Sequence, residues 1–265
     1  MLSLQLQLVT ALVFASAVMT ILWFIQRRMG NAGIVDIGWA AVIGVLGIFF
    51  ALTSPGYGSR RVLVAILIGV WSLRLTVYLF HRVVGETEDG RYVALKQKWG
   101  VRTPMKMFRF YQIQALAAFG FSTPVLFVAQ NPRSPLDGID TLGVAVWLVG
   151  IFGVSLADRQ LDRFRSQVGN RGKTCRAGLW KYSRHPNYFF EWVHWCAYVP
   201  LAFGATTWYL SLLVPVALLY FIFRVTGIPP TEAQAILSRG EDYRRYQQTT
   251  SAFVPWFPRK QEQMQ

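Results

Sequence analysis

The segment from Trp71 to Arg82 carries ionisable side chains inside an apolar stretch of the chain. Arg74, Tyr78 and Arg82 follow one another at intervals of four residues, so on a helix they share one face. An ionisable side chain among lipid tails is costly and usually faces the bundle interior or a wet cavity. Snorkelling toward the headgroups explains Arg82 better than Arg74, which lies two turns deeper. The stripe predicts a site for an anionic ligand that enters from the cytosol.

A second polar set opens the apolar run that begins near residue 188. Asn187, Glu191 and either His194 or Trp195 fall on one helix face, and Pro186 suits the first turn of that helix. An amide stacked on a carboxylate could hold a carboxamide or a ribose through paired hydrogen bonds. The alternative is a polar contact between packed helices.

Asp158 and Arg165 belong to a basic segment that we place in the loop before that helix. A guanidinium fork matches phosphate oxygens, so arginines beside a buried acid could cradle a phosphate. Dense positive charge also attracts anionic lipid without any specific ligand. The residues alone leave both interpretations open.

Asp36 lies near the start of the second apolar run, three residues before Trp39. A carboxylate in the first turn of a helix is favoured by the helix dipole and can serve as a simple cap. A functional role for Asp36 is the alternative, and both stay open at this point.

Membrane-spanning helices must position these side chains. Hydrophobic residues make up 53% of the chain and charged residues only 15%, well below the quarter typical of a soluble domain. Apolar runs of near-spanning length cover 5–26, 33–53, 62–80, 111–129, 141–157, 188–204 and 208–223. Several are shorter than the roughly 20 residues needed to cross a bilayer, so we expect their ends to extend into the loops. The predicted fold is all-α: one membrane domain over 1–265, a polytopic bundle of about seven transmembrane helices.

The net charge of +14 is distributed unevenly along the chain. With seven spans and the N-terminus outside, 23 of the 27 Lys and Arg residues fall on cytoplasmic segments. This asymmetry explains the basic composition without a nucleic-acid partner.

The cysteines and histidines do not form a metal-ligand pattern. Cys175 and Cys196 lie in a basic loop and an apolar run, and His81, His185 and His194 lack ligand spacing. We therefore expect neither a metal site nor a disulfide framework.

Several short motifs follow one another in a specific order. They are Trp71-x-x-Arg74, the loop 85–92, Asp158, Gly178-Leu179-Trp180, Asn187-Tyr188-x-x-Glu191, Trp195, Gly227-Ile-Pro-Pro-Thr-Glu232, Gly240-Glu241-Asp242-Tyr243-x-x-Tyr246 and the segment 252–256. With them the chain resembles the steroid 5α-reductase family, most closely its uncharacterised bacterial branch. The resemblance is firm over 140–258 and weaker over 30–110.

The resemblance implies a seven-helix membrane fold that binds NADPH from the cytosol and reduces a carbon–carbon double bond conjugated to a carbonyl. The residues at cofactor-contacting positions are Arg74, Tyr78, Arg82, Asp158, Arg165, Asn187, Glu191 and Glu232. Trp39 and Trp195 are implied substrate-pocket residues. Animal members polarise the substrate carbonyl with a glutamate and a tyrosine; Asp36 is the nearest match to the first, and Trp71 occupies the place of the second. An indole can donate a hydrogen bond but does not give up its proton as a phenol does.

We therefore predict an NADPH-dependent reductase of an activated double bond in a lipophilic substrate, steroid-like or isoprenoid-like. The predicted location is the bacterial inner membrane, with the site open to the cytoplasm and no obligate protein partner. One alternative is an S-adenosylmethionine-dependent membrane methyltransferase of the isoprenylcysteine or phospholipid type. Such enzymes carry an Arg-His-Pro-x-Tyr helix start and a Gly-x-x-Tyr-x-x-Tyr tail, as Arg184–Tyr188 and Gly240–Tyr246 do here. A non-enzymatic lipid-binding membrane protein is the second alternative.

Overall fold

The computed structural model describes residues 1–85 and 87–259, and within them the regular structure is helical, with no β-strand. Glu86, part of the 85–92 loop motif, lies outside the described residues. The α-helices are α1 Leu4–Met29, α2 Ile34–Thr53, α3 Gly58–Val83, α4 Gly90–Trp99, α5 Thr103–Ala129, α6 Gly138–Ser166, α7 Pro186–Cys196, α8 Tyr198–Ala202, α9 Leu213–Tyr220, α10 Ile228–Arg239 and α11 Glu241–Thr249.

In the described part of the chain, six helical stretches are long and apolar enough to cross a membrane. They are Leu4–Met29, Ile34–Thr53, Gly58–Val83, Gly90–Ala129, Gly138–Ser166 and Trp208–Arg239. This confirms the predicted polytopic helical membrane fold. The predicted run 188–204 is absent from the six because it is divided between α7 and the short α8. As expected, the ends of α3 and α6 extend beyond their apolar runs.

The chain divides into two compact units. The first, unit 1, comprises Met1–Asp137 with Ala202–Ser211, and the second, unit 2, holds Gly138–Leu201 and the chain from Leu212 onward. Unit 1 therefore contains α1 to α5, and unit 2 contains α6, α7 and α9 to α11. That 1–265 forms a single domain stays a prediction.

Close helix packing in unit 1 depends on small residues of α2. A Cβ atom at Gly44 would lie 2.2 Å from the hydroxyl oxygen of Ser72 on α3. That hydroxyl donates to the backbone carbonyl of Ala40 at 2.8 Å. Among lipid tails, packing and interhelical hydrogen bonds replace the hydrophobic effect as the force between helices. Because Gly44 has no side chain, α2 and α3 can come into contact at this position.

Polar side chains join α1 to α5 inside the bundle. Ser16 donates to the side-chain oxygen of Gln112 at 2.7 Å, and the Gln112 amide donates to Thr20 at 3.0 Å. The donors and acceptors are paired with each other, as the bilayer core supplies no water.

Glycines on α6 set its antiparallel register against α7 in unit 2. A Cβ atom at Gly150 would lie 2.6 Å from the backbone nitrogen of His194, and one at Gly153 would lie 2.2 Å from the ring of Phe190. Residues further along α6 therefore contact residues nearer the start of α7. This register decides which polar residues of the two helices share a level.

The prediction that Asp158 and Arg165 lie in a loop is wrong. Both lie in the last turns of α6, which continues to Ser166. The segment after the apolar run contains good helix formers and no helix breaker before Gly169, so the helix continues beyond the hydrocarbon. The basic residues of the last turn also complement the negative end of the helix dipole.

The glycine contact between α6 and α7 leads to a stability prediction. Gly150→Ala should lower the free energy of unfolding by roughly 1–3 kcal/mol, because the added methyl group meets backbone rather than a flexible side chain. Thermal unfolding in detergent, followed by circular dichroism, measures the change. Gly120→Ala in α5 is the matched control, because its Cβ atom would meet nothing within 4 Å. Equal melting points for the two variants would contradict the glycine contact.

Candidate functional site

Asp36 lies in the first turn of α2 and binds side chains from α4. The Tyr92 hydroxyl donates to Asp36 Oδ1 at 2.7 Å, and Arg91 Nη2 lies 3.7 Å from Asp36 Oδ2. The side chain of Asp36 is about one third exposed, whereas Tyr92 is buried. The carboxylate is therefore held from one side and open to a cavity on the other.

The charges around Asp36 extend into a short network at the end of α3. Arg91 Nε donates to Asp89 Oδ1 at 3.0 Å, and Arg82 Nη2 lies 3.5 Å from Asp89 Oδ2. Partial burial by itself would raise the pKa of Asp89, but the hydrogen bonds and the charge of Arg91 hold that pKa below its usual value. Together, Asp36, Arg82, Asp89 and Arg91 line a small cavity of about 120 Å³. The predicted cofactor residue Arg82 thus faces polar surroundings.

Two side chains of the predicted stripe on α3 contact each other. The Arg74 guanidinium lies 5.8 Å from the centre of the Tyr78 ring, a cation–π distance. Trp71 is fully buried, with its ring centre 6.4 Å from that of Trp39. Trp39 also packs against Phe121 at 5.3 Å. The two predicted indoles therefore belong to the aromatic core of unit 1.

The predicted polar face of α7 forms in unit 2. Trp195 Nε1 donates to Glu191 Oε1 at 3.1 Å, and His194 Nδ1 lies 3.9 Å from the same oxygen. His194 and Trp195 are both buried, and Glu191 is about one fifth exposed. Glu191 therefore orients the Trp195 indole and keeps partial access to solvent or ligand.

Asp158 lies near the level of Asn187. Continuing the α6–α7 register by five residues from Gly153 places Asp158 level with the start of α7, where Asn187 lies. The turn before α7 is anchored beside Asp158, because Trp180 Nε1 donates to the Ala157 carbonyl at 2.9 Å. Asp158 itself is buried. Arg165, two turns further along α6, is exposed.

Glu232 on α10 lies at the centre of a hydrogen-bond network that we call the Glu232 network. Its members are Arg184 Nε at 2.6 Å, His185 Nε2 at 3.1 Å and the Tyr243 hydroxyl at 3.3 Å from Oε1, and Gln247 Nε2 at 2.7 Å from Oε2. Burial raises the pKa of Tyr243, so this phenol retains the proton that it donates. Both oxygens of Glu232 have protein donors. A ligand that contacted Glu232, as the resemblance implies, would have to share or displace one of them.

A cavity of about 520 Å³ adjoins this network in unit 2. Its charged lining residues are Arg184 and Arg259, and its aromatic ones are Trp256 and Phe257. Residues 247–252 supply most of the remaining wall. Two guanidinium groups beside aromatic rings suit an anionic ligand that carries a flat ring.

No individual role was predicted for Tyr92, Arg184, His185 or Gln247. Three of them lie in motifs that were noticed for their resemblance, namely the loop 85–92 and the Arg-His-Pro-x-Tyr helix start. The sequence does contain a signal that could have pointed to such residues: a phenol or a cation lies just outside an apolar run that carries an acid. In the described part of the chain, no three His, Cys, Asp or Glu residues are grouped so that they could hold a metal ion.

The Glu232 network predicts a structural cost for removing its charge. Glu232→Gln should lower the free energy of unfolding by roughly 3 kcal/mol, because Arg184 loses its partner in a mostly buried position. Thermal unfolding in detergent measures this. Glu241→Gln is the control: that side chain is 77% exposed, and its loss should change stability by about 0.5 kcal/mol or less. If Glu232→Gln were as stable as this control, Glu232 would not hold the network together.

Comparisons with known proteins identify a family and leave the activity open. An uncharacterized protein of Schizosaccharomyces pombe is 27% identical over 214 residues, which cover 70% of this chain and 61% of that protein. The chain thus spans less than two thirds of the length of this relative. No solved structure matches the chain. A family model described as a protein of unknown function, DUF1295, matches residues 22–250, and the chain therefore belongs to the DUF1295 family.

Proposed function

We propose that this protein is an NADPH-dependent reductase of an activated carbon–carbon double bond in a lipophilic substrate. The observation that carries the proposal is the register of α6 against α7, which extends to put the buried Asp158 near the level of Asn187, one turn before Glu191. The motifs shared with steroid 5α-reductases include these three residues. The six candidate spans found among the described residues are consistent with a membrane enzyme of that kind.

The side chains of α6 and α7 fit the chemistry of a phosphorylated dinucleotide. Asn187 offers an amide donor and acceptor, and Glu191 offers carboxylate oxygens to a ribose or carboxamide. Arg165 is exposed at the end of α6, where a guanidinium can meet a 2′-phosphate. Bound NADPH would supply the hydride, and the protein would supply binding and orientation.

The reaction also requires an acid or hydrogen-bond donor at the substrate carbonyl. Hydride addition at the β-carbon moves the π electrons onto the carbonyl oxygen, and the resulting enolate must be stabilised and then protonated at the α-carbon. The resemblance implies Asp36 of unit 1 for this role; one face of its carboxyl group borders a cavity, and the other accepts a hydrogen bond from Tyr92. It performs this role only when it carries a proton. Tyr92 is a positioning residue, since it is buried and acts through Asp36.

One observation favours the methyltransferase alternative. The two motifs shared with membrane methyltransferases, the Arg184-His185 helix start and the Tyr243 tail, both bind Glu232. A cavity lined by Arg184 lies beside them, and its size suits a nucleoside-containing ligand. An S-adenosylmethionine site is therefore the second candidate function.

Ligand-dependent stability distinguishes the two functions. Purified protein in detergent should show a higher melting temperature with NADPH than with NADH, and no shift with S-adenosylmethionine, because a ligand stabilises only the state that binds it. The melting temperature is measured at a series of ligand concentrations. A shift with S-adenosylmethionine alone would replace the reductase with the methyltransferase. No shift with any of the three would leave the proposed reductase without a cofactor and would contradict it.

A substitution on α6 tests the proposed phosphate contact. Arg165→Ala should weaken NADPH binding on the order of tenfold and leave NADH binding unchanged, because the lost hydrogen bond goes to the 2′-phosphate. Isothermal titration measures both affinities. Arg163→Ala, two residues earlier and also exposed, is the matched control and should leave both affinities unchanged. Equal loss of NADPH and NADH affinity in Arg165→Ala would remove this role.

The proposed acid is tested by turnover with a long-chain 2-enal. Asp36→Asn should lower kcat on the order of 100-fold without weakening NADPH binding, because an amide cannot supply a proton. Tyr92→Phe should lower kcat less, since it removes only the group that positions Asp36. Loss of NADPH absorbance gives the rate. Full turnover in Asp36→Asn would assign the acid to another residue.

A further inference from the structure

A long apolar groove lies among α1, α2 and α3 in unit 1. It encloses about 640 Å³, a size typical of small-molecule sites. Its walls include Phe14 and Leu22 on α1, Ile34 and Ala41 on α2, and Phe80 and Val83 on α3. Among the described residues that line it, Asn31 alone has a polar side chain. Trp39, the predicted substrate-pocket residue of α2, does not line the groove.

The groove is elongated along the helix axes. Its α1 side runs from Phe14 to Met29, a rise of about 22 Å, and its α2 side runs from Ile34 to Val45, about 16 Å. Leu22 and Gly38 close its floor, because a Cβ atom on Gly38 would lie 2.0 Å from Leu22 Cδ1. A volume of this size spread over such a length suits an extended chain.

One end of the groove meets polar side chains. Asn31 and Val83 line both the groove and the 120 Å³ cavity that contains Asp36. The other charged residues of that cavity are Arg82, Asp89 and Arg91. Two acids thus face two arginines, and the ion pairs among them are 3.0 to 3.7 Å long.

We propose that the groove and the polar cavity together bind one single-chain lipid with an uncharged, hydrogen-bonding head. The chain lies along α1 and α2, and the head reaches the polar cavity beyond Asn31. Charge pairing selects the head group: Arg82 and Arg91 both already pair with Asp89, at 3.5 and 3.0 Å, so a phosphate or carboxylate would have to displace that acid to bind there. A hydroxyl, ester or carbonyl group can instead hydrogen-bond to the edges of these ion pairs. The inference does not depend on the reductase.

The shape of the site distinguishes this ligand from bulk membrane lipid. A phospholipid brings two chains and a charged head group, whereas the groove is a single elongated recess with one polar end. Val45 and Phe80 are about half exposed, so the groove is open along its length to the hydrocarbon from which such a lipid would enter.

Photolabelling in lipid nanodiscs tests the proposal. The probe is a monoacylglycerol with a diazirine in its acyl chain, and mass spectrometry maps the labelled residues. We expect labelling along the groove, competition by unlabelled monoacylglycerol, and no competition by phosphatidylglycerol with the same chain. Ala41→Phe, which places a ring inside the groove, should reduce labelling on the order of tenfold. Ala17→Phe on α1 is the matched control, because Ala17 is exposed and outside the groove, and its labelling should be unchanged.

Three results would overturn the site. They are equal competition by phosphatidylglycerol, which means contact with bulk lipid only; undiminished labelling in Ala41→Phe; and equal loss in the Ala17→Phe control. If Ala41→Phe fails to fold, Val45→Trp serves in its place, because Val45 is 49% exposed and tolerates a larger side chain. Labelling with monoacylglycerol in a protein that shows no NADPH shift would refute the reductase and leave the lipid site standing.

Discussion

A charge buried near hydrocarbon is stable only when other protein groups satisfy it, because the bilayer core supplies no water to do so. Each unit of this protein meets that constraint at a carboxylate. In unit 1, Asp36 is held by Tyr92 and Arg91, and in unit 2, Glu232 is held by Arg184 and its neighbours. The donors in both cases come from segments just outside the apolar runs. Because these acids must be neutralised, their hydrogen bonds and ion pairs hold in place the segments that carry most of the residues capable of chemistry.

Helix packing supplies the second constraint. Without a hydrophobic force between helices, close contact requires small residues, and glycines of α2 and α6 provide it. On α6 they have a further consequence, because the register they impose brings Asp158 to the level of Asn187. A side chain on Gly150 would shift this level as well as lower stability. The polar arrangement on which the proposed dinucleotide site rests thus depends on Gly150, which lies two turns away on α6 and has no side chain.

The proposed cofactor sites of the two candidate functions lie in different parts of unit 2. The reductase proposal rests on the helix faces of α6 and α7, and the methyltransferase alternative on the Glu232 network and its cavity. Arg184 and Asn187 are only three residues apart, so the same helix start serves both interpretations. Glu232, which the resemblance presents as a cofactor contact, is already bound by side chains of this chain. Its clearest physical role is to join α10 and α11 to the start of α7.

The sequence by itself determined the helical membrane fold and which polar side chains share a face of α3 and of α7, because hydropathy and helical spacing are local properties. It could not predict that Asp36 pairs with Tyr92, 56 residues away, or that Glu232 pairs with Arg184, 48 residues away. Such pairs depend on which helix ends meet, and only tertiary packing decides this. The groove along α1 and α2 is also visible only in the tertiary structure, because the sequence does not show whether an apolar side chain fills a core or lines a cavity.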